Sequence, residues 1–99
     1  MSELLNNSEI AAALEMQPQW EREGDTLVRA ATFPTFLTGL AAINDIATLA
    51  EEANHHPDID IRWRTVHFRC TTHSKGGITQ LDVNLAQAIE DVISKHQPS

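Results

Sequence analysis

The sequence predicts an α+β domain, with a four-stranded antiparallel sheet and three helices packed on one of its faces. Three observations carry that expectation. Residues 59–70 alternate apolar and polar as a half-buried hairpin does, whereas residues 36–53 and 81–92 repeat apolar side chains at three- and four-residue steps. Between and before them, turn residues punctuate a helix and a second strand pair, giving the order helix, two strands, helix, two strands, helix. Helices gathered on one side of an antiparallel sheet are the packing such an order allows.

Met1 to Asn7 is polar and reads as a frayed or loosely docked end. Ser8 is placed to cap a short helix reaching about Met16, with Ile10, Ala13, Leu14 and Met16 as its apolar stripe. Pro18 ends it. Trp20–Glu23 and Thr26–Ala30, joined at Gly24-Asp25, read as a first hairpin. Trp20 is read as an aromatic covering the edge of the core, with stacking on a ligand as the alternative. Phe33-Pro34 interrupts the pattern, and Thr35 caps the longest helix, which runs to about Ala53. Phe36, Leu40, Ile43, Ala47 and Ala50 form its stripe, and Leu37, Ile46 and Leu49 widen it. That is enough apolar surface to meet both the sheet and a partner helix.

After Pro57, Ile59, Ile61 and Trp63 alternate with Asp60 and Arg62, and Val66, Phe68 and Cys70 alternate with His67 and Arg69. A two-residue loop at Arg64-Thr65 pairs Trp63 with Val66, Ile61 with Phe68 and Ile59 with Cys70, all on one face. The other face then sets Asp60 opposite Arg69 and Arg62 opposite His67, so His67 is an outward strand residue and Cys70 a small buried one. Extended past the strands, the same register sets His73 across from His56. Ser74-Lys75-Gly76-Gly77 is a flexible turn able to bring backbone amides to a ligand. Thr79 caps the last helix with Asp82 as its capping-box partner, and Leu81, Leu85, Ala88, Ile89 and Val92 form the buried stripe. His96 falls in a solvated tail.

Composition narrows the function. Seven basic against fourteen acidic residues give a net charge of −7 with no Lys/Arg cluster, which disfavours direct contact with nucleic acid or an anionic membrane. The single cysteine leaves no intrachain disulfide, and no apolar run approaches a membrane span. The chain reads as one soluble, cytoplasmic domain, small enough for self-association to supplement its core.

The chemistry concentrates at Glu51-Glu52-Ala53-Asn54-His55-His56-Pro57-Asp58, where a helix meets a strand. Imidazole titrates near neutrality, so neighbouring rings can supply a general acid and a general base in one turnover. Glu51, one helical turn before His55, is placed to orient a ring, and Pro57 holds His56 extended. A site of three histidines and a carboxylate holding zinc or iron is the competing sharp reading, weakened because adjacent side chains diverge in extended backbone. The bland reading has the histidines capping a helix end and bonding to backbone.

The spacing Glu51-x3-His55-His56-Pro57, five residues, Trp63, nine residues, His73, eight residues, Asp82 resembles the signature of the pterin-4a-carbinolamine dehydratases. Thr71-Thr72-His73 and Gly76-Gly77-Ile78-Thr79 are similar to its bacterial members, and the resemblance runs from Trp20 through the last helix. It implies four antiparallel strands with three helices on one side, and assembly as a homodimer or homotetramer. The implied activity is loss of water from 4a-hydroxytetrahydrobiopterin, or a related pterin, to give the quinonoid dihydropterin. This recycles the cofactor of aromatic amino-acid hydroxylases; the pterin is the substrate, and neither a metal nor another cofactor is implied. Carried onto this chain, His55 and His73 form the acid–base pair and Glu51 supports the histidines. His56, Pro57, Thr72, Ser74, Trp63 and Asp82 make up the implied substrate-binding set. A pterin-binding or regulatory dimerisation module, and a role in molybdopterin metabolism, are the alternatives.

Overall fold

The computed structural model describes residues 3–97, so Met1, Ser2, Pro98 and Ser99, the outermost parts of the two expected loose ends, lie outside the described residues. Helix α1 (Asn7–Glu15) leads into strands β1 (Glu21–Glu23) and β2 (Thr26–Thr32), followed by helix α2 (Phe36–Ala53). Strands β3 (Asp58–Arg62) and β4 (Thr65–Cys70), a 3-10 turn at His73–Lys75 and helix α3 (Gln80–His96) complete the order. The sheet runs β1-β2-β4-β3 with every neighbour antiparallel, and the helices cover one face, as expected from the sequence.

The first helix begins earlier than the Ser8 cap predicts. Asn6 caps it: its side chain accepts from the Glu9 amide at 2.8 Å, and the Glu9 carboxylate accepts from the Asn6 amide at 2.8 Å. Ser8 has Ala11 three residues on and cannot form this reciprocal pair. Just before it, the Leu5 amide donates to the Ile78 carbonyl at 2.9 Å and Leu4 bridges Thr79. Residues 4–6 therefore take the docked rather than the frayed alternative.

Both long helices bury part of their predicted stripes, Ile46 and Ala50 in α2 and Leu85, Ile89 and Val92 in α3, and depart from the rest. In α2 the buried residues are Gly39, Ala42, Ile46 and Ala50, while Phe36 and Leu37 are exposed. Small side chains let the helix axis approach the sheet: a Cβ on Gly39 would lie 3.5–3.6 Å from Ile61, Phe33 and Val66. The larger Ile43 and Leu49 then pack along the flank of that contact. In α3 the buried set includes Ala86 and Ile93 beside Leu85, Ile89 and Val92, and Leu81 is displaced outward because Asp82 takes the inward position.

The second hairpin shifts register by two residues; Val66, Phe68 and Cys70 are buried as predicted, whereas Trp63 leaves the ladder and Ile59 is exposed. Ile61 pairs with Val66, Ile59 with Phe68, Asp60 with His67 and Arg62 with Thr65. A shift of two preserves which side chains face the core. Thr65 cannot be loop because it also pairs with Thr32 of β2, hydroxyl to hydroxyl at 3.1 Å. The turn therefore falls on Trp63-Arg64, with Trp63 at φ 55° and 73% exposed. Arg64 steadies the tip: its guanidinium lies 4.9 Å from the Trp63 ring centroid and donates to the Phe33 carbonyl at 3.4 Å.

Trp20 is core, as the plainer reading had it. It is buried and its indole N–H donates to Glu90 at 3.0 Å, where Arg29 also forks onto the carboxylate at 2.9 and 3.1 Å. These bonds join β2 and the residue preceding β1 to α3. His96 is not a solvated tail residue: it lies within α3 and pairs with Asp45 of α2 at 2.9 Å.

Candidate functional site

The end of α2 sets the geometry. Asn54 adopts the left-handed conformation, φ 51° and ψ 41°, and its amide donates to the carbonyls of Ala50 and Glu51. Asparagine tolerates this conformation, which turns the chain sharply out of a helix. The His55 amide donates back to the Ala50 carbonyl at 3.1 Å, and the two imidazoles then part. His55 turns inward, with 11% of its side chain exposed, and its Nε2 lies 2.6 Å from Asp82 Oδ1. His56 turns outward, 53% exposed, and its Nε2 bonds to the Glu51 carboxylate.

Asp82 is the deepest member of the group, with no exposed surface. Its Oδ2 accepts from the Thr72 hydroxyl at 2.7 Å and from the Thr79 amide at 2.9 Å, so one carboxylate caps α3 and holds His55. Buried carboxylates survive where donors surround them, and this one has three. Thr72, also buried, lies 2.8 Å from the Thr79 hydroxyl. His73 follows immediately, exposed at the start of the 3-10 turn.

The strand register does not bring the histidines together as predicted. The ladder between β3 and β4 ends at Asp58 and Arg69, so no strand pairing sets His73 across from His56. The chain of bonds from His55 through Asp82 to Thr72 brings the His55 and His73 segments together instead.

Several predicted roles shift with this geometry. The ring that Glu51 bonds is that of His56, because the bend at Asn54 turns His55 inward and leaves His56 beside the last turn of the helix. Asp82 was expected against the substrate but has no surface to offer it, and the Thr72 hydroxyl is likewise engaged internally. Trp63 stands at the far tip of the hairpin, on the order of 20 Å along the strand from Pro57 at about 3.3 Å per residue. Pro57 and Ser74 stay beside the histidines in sequence, Pro57 half-buried and Ser74 exposed. The turn amides expected to reach a ligand are used internally: those of Lys75, Gly76 and Gly77 donate to the Thr72 carbonyl at 3.0, 3.0 and 3.4 Å.

The remaining candidates separate cleanly. Burial pushes the Cys70 thiol far above its ordinary value, with the negative charges of Asp82 and Asp58 adding to the effect. It is no nucleophile at neutral pH. Among the described residues, no three histidine, cysteine or carboxylate side chains gather closely enough to hold a metal ion. A depression of about 320 Å³ on the uncovered face of the sheet, lined by Glu21, Val28, His67 and Arg69 among others, includes neither His55, His56 nor His73. Asp82 was visible in the sequence as a cap; its bond to a residue 27 positions away was not.

Residues 3–92 match the model of the family described as pterin 4 alpha carbinolamine dehydratase. A protein of Mycobacteroides abscessus, provisionally named a pterin-4-alpha-carbinolamine dehydratase, is 54% identical over 92 residues, covering 93% of this chain and 98% of that protein. The crystal structure of a transcriptional coactivator/pterin dehydratase from Brucella melitensis superposes with a TM-score of 0.90 at 26% identity, over 93% of this chain and 100% of that one. A pterin dehydratase-like protein identified as a RuBisCO assembly factor in the alpha-carboxysome shares the fold at 17% identity and a TM-score of 0.62, over 76% of this chain and 87% of that one.

Proposed function

This chain belongs to the pterin-4a-carbinolamine dehydratase family, and we propose from that premise that it dehydrates a 4a-hydroxytetrahydropterin by imidazole acid–base catalysis. The observation that carries the reading is the pair of His55, bonded to buried Asp82, and exposed His73, joined through Thr72. In the reaction the C4a–O bond breaks as its oxygen takes a proton from one imidazole. The other imidazole removes the N5 proton, and those electrons form the C4a=N5 bond of the quinonoid dihydropterin. One water leaves, and proton exchange with solvent resets the rings. His56, steadied by Glu51, holds the pterin with Pro57 and Ser74 beside it. The balance closes on the protein's own groups, and the proposed step calls on no metal or second cofactor.

In this reading the reaction returns the spent cofactor of an aromatic amino-acid hydroxylase to a reducible form, and the chain works as a homodimer or homotetramer. The test is kinetic. Purified protein should accelerate dehydration of the 4a-carbinolamine, and His73→Ala and His55→Ala should each lose about 10²–10⁴-fold, the scale of general acid–base catalysis. No acceleration by the wild-type protein would end the proposal.

A further inference from the structure

Every hydrogen in the buried network behind His55 has one permitted direction. The Thr72 hydroxyl gives its single proton to Asp82 Oδ2. The Thr79 hydroxyl, 2.8 Å away, must then donate to Thr72, and it accepts in turn from the Leu81 amide at 3.2 Å. The chain of donors therefore starts at the amide end of α3, where the helix favours negative charge, and ends on the carboxylate. With Oδ2 filled by Thr72 and the Thr79 amide, Oδ1 faces His55 Nε2 at 2.6 Å. An ionised carboxylate only accepts, so Nε2 carries the hydrogen and Nδ1 is left as the ring atom able to exchange a proton.

Thr72 is the member of this chain that touches both halves of the site. Its amide donates to the Gly77 carbonyl at 2.9 Å, and its own carbonyl takes the amides of Lys75, Gly76 and Gly77. Those bonds close the turn that begins at His73. The side chain fixes Asp82 and hence His55; the backbone fixes the turn that presents His73.

We propose that Thr72 is a positioning residue that holds His55 through Asp82 in its Nε2–H tautomer, making Nδ1 the atom that exchanges protons with substrate. The proposal rests on the dehydratase reading for its substrate, but the tautomer can be measured without turnover. Two-bond ¹H–¹⁵N correlation spectra at about pH 9, well above the ordinary imidazole value of about 6.5, report which ring nitrogen bears the hydrogen. The wild-type protein should show Nε2–H at His55. Thr72→Val keeps the shape and deletes the hydroxyl; with Oδ2 released the carboxylate can turn from Nε2, and mixed tautomers should result. Its kcat should fall roughly 10-fold, the scale for removing outer partners of functional histidines, with KM held within about twofold. Thr72→Ser should restore both readouts.

Wild-type His55 as the Nδ1–H tautomer would overturn the proposal. So would a folded Thr72→Val protein with wild-type kcat and unmixed tautomers. If Thr72→Val does not fold, the wild-type and Thr72→Ser spectra decide between the same outcomes. A wild-type protein with the expected tautomer and no dehydratase activity would remove the proposed reaction and leave the tautomer assignment standing.

Discussion

Asp82 shows how one residue can serve fold and chemistry together. It caps α3 through the Thr79 amide and accepts from His55 and Thr72, all without exposed surface. Asp82→Ala would strand three buried donors, each costing about 1–3 kcal/mol, and would remove a helix cap as well. A loss of about 3 kcal/mol or more in urea unfolding is expected. Asp82→Asn separates the two roles. Its amide oxygen can still serve the Thr72 and Thr79 donors, while its NH₂ group faces His55 and demands the opposite tautomer. We expect near-native folding with activity down about 10²–10⁴-fold, by analogy with wrong-tautomer variants of hydrolase triads. Cys70 gives a second prediction at this scale. Its folded-state thiol is raised by burial and by the charges of Asp82 and Asp58, so the folded chain retains a proton that the unfolded chain loses first. Stability is unaffected by this group below the ordinary thiol value of about 8.5 and falls as pH rises above it. Melting temperatures from pH 8 to 11 should therefore drop more steeply for the wild type than for Cys70→Ala.

Among the elements, the β3–β4 hairpin shows what the sequence carries and what it leaves open. Alternation at Ile59, Ile61, Val66 and Phe68 was legible, because period two is enough to assign faces. The pairing was not, because shifts of two residues leave those faces unchanged. Thr65 settles it by bonding to Thr32, a partner 33 residues away. Trp63 is thereby forced into a left-handed turn that large side chains avoid. Trp63→Gly should relieve roughly 1–2 kcal/mol of backbone strain, partly offset by the lost contact with Arg64; a raised melting temperature is the expected result. Helix α2 was legible in extent and in its Thr35 cap, but only in part in its buried face, where Ile46 and Ala50 were expected and Gly39 and Ala42 were not. Counting apolar residues favoured the large ones, whereas close approach to the sheet selected Gly39 and Ala42. A Cβ at Gly39 meets only ordinary contacts, so Gly39→Ala should stabilise by up to about 1 kcal/mol. The histidine cluster was legible in the same partial way: its residues stood out as candidates, but the bond of His55 to a carboxylate 27 positions away, and through it to the residue before His73, ran through a helix cap.

At the scale of the whole molecule, the packing of α2 leaves Phe36 and Leu37 facing outward, 44% and 74% exposed. The proposed self-association gives those side chains a use, and Leu37→Glu tests it without disturbing the core. Light scattering should show a smaller assembly, with the monomer's circular dichroism unchanged. The N-terminal strip has a more practical consequence. Leu4 bridges Thr79 and Leu5 donates to Ile78, while a Cβ on Gly77 would come within 3.0 Å of Leu4. Leu4 and Leu5 are therefore a latch on the loop that holds Thr72 and Thr79. An expression design that trims residues 1–5, harmless by the look of a polar leader, should loosen that loop and depress turnover. A tag appended ahead of an intact Leu4 should not.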